Sequence, residues 1–282
     1  PRSAASLSRA GAPAVTVRVL DRTLIYACAA VVAIWVLIPF YLIAISALTP
    51  QSNVADYPKA FIPTAVSVGT LQLFMESSGI VPAMLNSVIV ALLTVVVGLA
   101  LGAPAAYALA RFRFRGREAF RAVVLVTKMF PIAILAIPLA AIFVRLGLYD
   151  NLISVALVHA AMALPFVILI VGTAFVASSN DLEEAAETLG SNRWGAFFRV
   201  ALPPAMPGMA AAAIFAFVIS WNEVFAASIL TVRTRTLPAQ ILASLSTSPL
   251  ALKLVAGFFM VLPAVVFIIV IRRYVRVVWG SR

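Results

Sequence analysis

The chain has 282 residues, of which 63% are hydrophobic and 11% are charged, with 21 Lys and Arg against 10 Asp and Glu. This much apolar sequence exceeds what one soluble core can bury, which excludes ordinary soluble, disordered, collagen-like and disulfide-scaffold classes. The formal net charge of +11 is interpreted as membrane topology, and no nucleic-acid partner is expected, because no base-stacking module accompanies the cations.

Six apolar stretches are each long enough to cross a lipid bilayer, which takes about 20 residues per helix. They cover residues 24–48, 86–110, 121–144, 152–177, 206–230 and 251–271. The sequence therefore predicts an all-α, polytopic membrane protein with six transmembrane helices. A cytoplasmic tail is expected at residues 1–23 and a transmembrane domain at residues 24–282. The segment before the first span is too polar for a cleaved signal peptide.

Arginines indicate the orientation of the chain in the membrane. Fifteen of the 21 cations fall on the side that holds both termini. Five of them lie in one short loop: Arg111, Arg113, Arg115, Arg117 and Arg121. The positive-inside rule then places both termini in the cytoplasm. The segment 49–85 becomes external, with a short helix expected at Val68–Glu76, and the loop 179–205 becomes cytoplasmic.

Glycines and prolines punctuate the predicted spans. Gly98 and Gly102 stand four residues apart, a spacing that would let a neighbouring helix approach closely. Prolines interrupt the spans at Pro104, Pro131, Pro138 and Pro165. At such positions the freed carbonyl groups need partners or a water-lined cavity, so kinked spans suit a transport pathway without proving one.

The cytoplasmic segment Asp181–Gly208, DLEEAAETLGSNRWGAFFRVALPPAMPG, is amphipathic and too polar to enter the bilayer. Asp181 and Glu184 have the spacing of a capping box and Gly190 supplies a stop, which predicts a short helix. A second amphipathic turn is expected at Arg193–Val200. Three prolines, Pro203, Pro204 and Pro207, are expected to end it before the next span. Three carboxylates would be offered to a basic partner: Glu183, Glu184 and Glu187.

This segment resembles the cytoplasmic loop of the permease subunits of ATP-binding-cassette importers. That loop reads Glu-Ala-Ala, three residues, Gly, nine residues, a β-branched residue, one residue and Leu-Pro. The chain matches it with Glu184, Ala185, Ala186, Gly190, Val200, Leu202 and Pro203. Other segments are similar to the carbohydrate-uptake branch, and to its maltose-type second permease: Asn86-Ser87, Ala106–Arg111, Leu164-Pro165-Phe166 and Trp221-Asn222-Glu223. Leu189 departs from the pattern, because many relatives carry Asp there.

The resemblance implies a type I importer permease in the bacterial cytoplasmic (inner) membrane. It would pair with a homologous permease, two cytoplasmic ATPase subunits and an external solute-binding protein, and import a sugar or sugar-like solute by alternating access. The loop would be a coupling helix seated in a cleft of the ATPase, where Glu184 pairs with a basic residue. ATP and Mg²⁺ would be bound by the ATPase, because none of Lys59, Lys128 and Lys253 follows a glycine as a phosphate-binding loop requires. For this chain no catalytic residue, cofactor or metal is expected.

Three ionisable residues fall within predicted spans, where such residues normally face the bundle interior, and they are predicted to belong to the translocation pathway: Lys128, His159 and Glu223. At 1.5 Å per residue, His159 and Glu223 lie at similar depth and Lys128 lies on the order of 10 Å away. A His159–Glu223 contact is therefore feasible, and a Lys128–Glu223 pair is not expected. Trp221, Asn222 and Glu223 are predicted to line the external half of the pathway, where hydrogen bonds and an aromatic face suit a sugar. Alternatively, these side chains only stabilise the bundle.

Two other classes of protein fit the sequence less well. An ion-coupled secondary transporter would use Lys128, His159 and Glu223 as a relay, but the internal repeats typical of such carriers are not evident. A membrane enzyme would need clustered ligands or a nucleophile with a base, which one histidine and one cysteine at unmatched depths do not supply. Within the importer class, a polyol, a glycerophosphodiester or a sulfonated sugar is the alternative cargo.

Overall fold

The computed structural model describes residues 14–54, 61–62, 65–244 and 247–279, and every regular element within them is helical. In chain order the α-helices of this part are α1 Ala14–Ala47, α2 Gly69–Glu76, α3 Ile80–Arg111, α4 Arg117–Val126, α5 Ile132–Arg145, α6 Leu152–Ala177, α7 Asp181–Thr188, α8 Arg193–Ala196, α9 Leu202–Asn222, α10 Phe225–Leu230, α11 Leu237–Ser244 and α12 Leu250–Trp279. The prediction of an all-α fold is confirmed.

Five helical stretches of the described chain are long and apolar enough to cross a membrane without interruption. They are Arg22–Ala47, Ile80–Arg111, Leu152–Ala177, Arg193–Asn222 and Leu250–Ile271. The predicted span 121–144 is instead a bent pair, Arg117–Met129 and Ile132–Arg145, whose axes differ by 95°. Pro131 causes the break, because it has no N–H to donate and forces Phe130 into an extended conformation, with φ −82° and ψ 117°. The count is therefore six only when the bent pair is one span.

The first and last apolar spans, Arg22–Ala47 and Leu250–Ile271, agree with the predicted 24–48 and 251–271. Their helices extend further, since the first begins at Ala14 and the last continues to Trp279. One predicted boundary is wrong. The predicted span 206–230 ends at Asn222 and is followed by a separate short helix, α10. Hydropathy marks only the apolar stretch, whereas arginine and valine let a helix continue beyond it. Residues 1–13 lie outside the described residues, and the cytoplasmic placement of both termini stays a prediction.

The segment 49–85 contains the expected short helix, because α2 covers Gly69–Glu76. Phe74 is its buried anchor and stacks on Phe259 of α12, with ring centroids 5.2 Å apart. The segment is thereby packed against the transmembrane bundle. Residues 55–60 and 63–64 of this segment lie outside the described residues.

Helix α6 packs between α3 and α9, and glycines make both contacts close. A Cβ atom on Gly102 of α3 would lie 2.6 Å from Cγ1 of Val167, and one on Gly208 of α9 would lie 2.5 Å from Cβ of Ala174. Gly98 has more room, since its Cβ would lie 3.7 Å from Val167. The predicted close approach at Gly98 and Gly102 is confirmed, and Gly102 is the position that requires it.

Pro203, Pro204 and Pro207 do not end the helix that precedes them. Helix α8, a π-helical segment at Phe197–Ala201 and α9 form one continuous helical stretch from Arg193 to Asn222. Pro203 and Pro204 fall in the first turn of α9. Their missing N–H groups are tolerated at that position, directly after the wider π turn. The predicted break is therefore wrong, and the loop is rigidly continuous with a membrane span.

Candidate coupling and translocation sites

The segment that carries the Glu-Ala-Ala motif forms a helical hairpin, α7 followed by α8. Gly190 ends α7 as predicted, because it adopts φ +92°, and Ser191 N–H donates to the Ala186 carbonyl over 3.0 Å. The expected capping box is wrong in detail, since Asn180 is the N-cap and Asp181 is already helical. The Asn180 amide donates to Glu184 Oε1 over 2.6 Å. Asn192 then caps α8 by accepting from Gly195 N–H over 2.7 Å.

The hairpin exposes a large apolar surface. Leu189 is 90% exposed and Trp194 is 72% exposed, and Leu182 and Phe198 are exposed as well. The side chains of Glu184, Ala185 and Glu187 lie on the same hairpin and are exposed, whereas Ala186 is half-buried. Exposed apolar side chains flanked by carboxylates are typical of a surface that binds another protein. Of the later motif residues, Val200 and Leu202 are half-buried and Pro203 is exposed.

Glu183 does not belong to that exposed surface. Its Oε1 accepts from Arg111 Nε over 2.8 Å and forms a 2.7 Å salt bridge with Arg111 Nη2. Its Oε2 accepts from the Tyr107 hydroxyl over 2.6 Å. Arg111 also donates to the carbonyl and hydroxyl of Ser178, over 3.2 and 2.7 Å. The interpretation of Glu183 as a carboxylate for a basic partner is wrong, because both oxygens bind residues of α3.

The sequence offered only weak signals for this cluster. In the sequence, Arg111 is one of five arginines in a short loop, and Tyr107 lies within the segment Ala106–Arg111 that carries the resemblance. The Tyr107 ring packs edge-on against Phe175 and Phe197, with centroids 5.3 and 4.7 Å away. The end of α3 is thereby tied to α6, to α7 and to the π segment. The spacing of Tyr107 and Arg111, four residues apart on one helix face, could have indicated a shared partner.

The predicted His159–Glu223 contact is confirmed, with Nε2 and Oε2 3.1 Å apart and both residues buried. His159 Nδ1 lies 2.8 Å from the Ser220 hydroxyl, which accepts from the Thr94 hydroxyl over 3.2 Å. The Glu223 carboxylate also accepts from the N–H groups of Ala226 and Ala227, over 2.9 and 3.0 Å. Glu223 therefore caps α10 at the point where the long helix breaks.

The remaining pathway predictions have mixed outcomes. Trp221 is 1% exposed, stacks on Phe217 with centroids 5.9 Å apart and donates to the Met260 carbonyl over 2.7 Å. The prediction that the face of the Trp221 ring meets a sugar is wrong, because this face packs against Phe217 of the same helix. Glu223 and His159 are likewise buried within this chain. Asn222 is exposed, and its amide donates to the Val218 carbonyl over 2.9 Å.

Lys128 lies at the break between α4 and α5. Its ammonium is 4.1 Å from the centroid of the Phe166 ring, a cation–π contact. No salt bridge joins Lys128 to a carboxylate of the described chain. As expected, Glu223 does not pair with it. The side chain borders a cavity of about 490 Å³.

Asp150 joins two loops, because it lies between α5 and α6 and binds the segment between α10 and α11. It adopts φ +56°, and its Oδ1 accepts from the N–H groups of Val232, Arg233 and Thr234 over 2.9 to 3.0 Å. Burial alone would raise the pKa of this carboxyl, but the three backbone N–H donors lower it below its usual range. An aspartate in a loop of this kind gives no sequence signal for such a contact.

A family model described as the binding-protein-dependent transport system inner membrane component matches residues 98–278. The chain belongs to this family. It is therefore a multi-pass permease component of the inner membrane, and the predicted resemblance is confirmed. The matched residues include the hairpin, the Glu223 cap and the bent pair.

Three relatives each cover more than two thirds of the chain. The trehalose transport system permease protein SugB of Mycobacterium tuberculosis is 31% identical over 252 residues, covering 87% of this chain and 90% of the relative. A putative ABC transporter permease, ORF1, of Streptomyces antibioticus is 33% identical over 219 residues, covering 75% and 94%. The diacetylchitobiose uptake permease DasC of Streptomyces coelicolor is 30% identical over 195 residues, covering 69% and 71%.

Solved structures show the same fold. A chain of a bacterial ABC transporter that imports the acidic polysaccharide alginate aligns with TM-score 0.71 at 21% identity, covering 96% of this chain and 99% of that one. A chain of the MetNI methionine ABC transporter aligns with TM-score 0.61 at 18% identity, covering 71% and 95%. The predicted architecture of a type I importer permease is confirmed.

Proposed function

We propose that this chain is the membrane-spanning permease of an ATP-driven importer that moves a sugar or sugar-like solute into the cytoplasm. The observation that carries the proposal is the exposed α7–α8 hairpin, which bears the Glu184–Ala186 motif on α7 and whose second helix, α8, is continuous with a membrane span. A solvent-facing hairpin with Leu189 90% exposed is expected to bind a partner. Family membership makes an ATPase subunit the natural partner.

Force from the ATPase would reach the membrane through two connections. The first is covalent, because α8, the π segment and α9 form one helix. The second is the contact of Glu183 with Tyr107 and Arg111, which joins α7 to the end of α3. Closure of the ATPase dimer around ATP and Mg²⁺ would move the hairpin, and α3 and α9 would move with it. Alternating access follows when both permeases rock in this way.

The saccharide cargo is supported by the relatives, since permeases named for trehalose and diacetylchitobiose are 30 to 31% identical to this chain. Asn222 is exposed and Lys128 is half-buried, so these two predicted pathway residues keep accessible polar surface. His159 and Glu223 serve instead to hold the broken end of α9. The complete importer would contain a homologous second permease, two ATPase subunits and an external solute-binding protein.

The test measures ATP hydrolysis by the purified complex in lipid, with and without the binding protein loaded with members of a saccharide panel. Glu184→Lys is compared with Glu118→Lys, because the Glu118 side chain is 77% exposed and lies outside the hairpin. Stimulation by one loaded saccharide, reduced at least tenfold by Glu184→Lys and retained by Glu118→Lys, supports the proposal. The proposal is overturned if the chain alone transports solute in liposomes under an ion gradient.

A further inference from the structure

Lys128 is a cation within a predicted span, and it forms no salt bridge with a carboxylate of the described residues. Nine of the ten acidic residues in the sequence lie outside all six predicted spans. These nine are Asp21, Asp56, Glu76, Glu118, Asp150, Asp181, Glu183, Glu184 and Glu187. The tenth, Glu223, is bound by His159 and by the N–H groups of α10. The part of the chain that the structure describes therefore supplies no counter-charge for Lys128.

The backbone around Lys128 indicates where that counter-charge would be. Lys128 lies in a short 3-10 turn, Thr127–Met129, between two helices bent by 95°. Irregular backbone at membrane depth is tolerated where it is buried in protein or lines a water-filled cavity. A cavity of about 490 Å³ lies against this turn. Its size falls within the range of about 300–1,000 Å³ that is typical of small-molecule sites.

The cavity is lined mainly by apolar side chains. Thr127 and Lys128 are the polar side chains among its lining residues, and the others are apolar, including Leu139, Phe143 and Pro165. The Lys128 ammonium is held over Phe166, whose ring centroid lies 4.6 Å from that of Phe215. One positioned cation beside an apolar wall suits a molecule that has both an apolar face and a single negative group. A sugar ring bearing an acidic substituent has this character.

We propose that Lys128 is an anion-binding residue of the translocation cavity, and that the solute is an acidic saccharide bearing a carboxylate or sulfonate. This inference rests on the proposed function and narrows its cargo. The ammonium donates to the anionic oxygens as the solute passes the bend between α4 and α5. A neutral disaccharide would leave the charge without a partner in a low-dielectric site, which makes its passage less favourable.

The experiment uses the complete importer with its solute-binding protein in proteoliposomes. Uptake is measured for a glucuronate-containing disaccharide, a sulfonated monosaccharide and trehalose as the neutral probe. Wild type is compared with Lys128→Gln and Lys128→Arg, and Lys253→Gln at the start of α12 is the matched control. We expect uptake of an acidic probe to fall at least tenfold in Lys128→Gln, and to stay within about threefold in Lys128→Arg and Lys253→Gln.

Three results would overturn this inference. The first is that wild type takes up trehalose and neither acidic probe. The second is that wild type and Lys128→Gln take up an acidic probe equally well. The third is a Lys128→Gln complex that loses its second permease while Lys128→Arg retains it, because Lys128 would then pair with that subunit. A different result would overturn the proposed function itself: in the wild-type complex, no loaded binding protein stimulates ATP hydrolysis.

Discussion

Arg111 and Glu183 form a salt bridge of 2.7 Å between the end of α3 and the hairpin helix α7, and their side chains are only 9% and 7% exposed. The pair is completed by Tyr107 and Ser178, so each charged group has several partners. A buried pair of this kind is costly to break, because the remaining charge cannot regain its water. The hairpin is consequently fixed to the membrane bundle rather than hinged on it.

Replacing Glu183 with alanine should destabilise the permease by about 3 kcal/mol, because Arg111 would remain buried without its carboxylate. Unfolding of the purified protein by titrated SDS in mixed micelles gives the free energy. Glu187→Ala is the control, since Glu187 lies on the same helix and is exposed. Equal stability of the two variants would show that the Arg111–Glu183 contact contributes little.

Replacing Glu223 with alanine should cost about 2–4 kcal/mol, which combines the loss of the α10 cap with an unsatisfied His159 ring nitrogen. The neighbouring change Asn222→Ala removes an exposed side chain and should alter stability by no more than about 0.5 kcal/mol. The same SDS titration compares the two variants. A difference between them below about 1 kcal/mol would contradict the role assigned to Glu223.

Gly102→Ala should destabilise the contact between α3 and α6 by about 1–3 kcal/mol, because the added methyl group would lie 2.6 Å from Val167 Cγ1. Valine is branched at Cβ and has little freedom to move aside. Gly98→Ala meets Val167 at an ordinary 3.7 Å. It should be neutral or stabilise the helix by up to about 1 kcal/mol. Unfolding measurements that rank the two variants in reverse order would refute the close packing at Gly102.

The low pKa of Asp150 predicts how the stability of its contact with the loop after α10 depends on pH. Its pKa is lower in the folded protein than in an unfolded chain, so its stabilisation is complete above pH about 4 and is lost as the pH falls through the folded pKa. Hydrogen exchange reports on the N–H groups that it binds, those of Val232, Arg233 and Thr234. Their protection, corrected for intrinsic exchange, should be constant from about pH 7 to about pH 5 and decrease below pH about 4.

Two variants of Asp150 distinguish the contribution of the side-chain oxygen from that of the backbone conformation. The substitution Asp150→Asn keeps an accepting oxygen and tolerates φ +56°. Asp150→Ala has neither property, and should lower the protection of the three N–H groups by about tenfold or more near neutral pH. Unchanged protection in Asp150→Ala would mean that the loop is held by other contacts.

Periodicity and hydropathy predicted most of the fold because they report on burial over long stretches. They located the long helices, the stop at Gly190 and the close approach at Gly102. Four prolines were expected to interrupt spans, but only Pro131 breaks its helix, because the packing around a proline selects one of several backbone outcomes. The break at Glu223 was not located, because no proline or glycine adjoins it. The sequence also could not predict that Trp221 is buried and Asn222 is exposed. Adjacent helix residues differ by about 100° in direction, and the neighbouring helices decide which of them is buried.

The π segment at Phe197–Ala201 lies between the hairpin and the membrane span. A π turn is an α-helical turn that has taken up one additional residue, so the helices on either side of it keep the faces that they would have without it. One residue more or fewer in the regular helix α8 would instead rotate everything before it by about 100° relative to α9. Glu183 of α7 would then turn away from Arg111. The wide turn is therefore the place in this helix where the chain length can change without changing the direction in which the hairpin points.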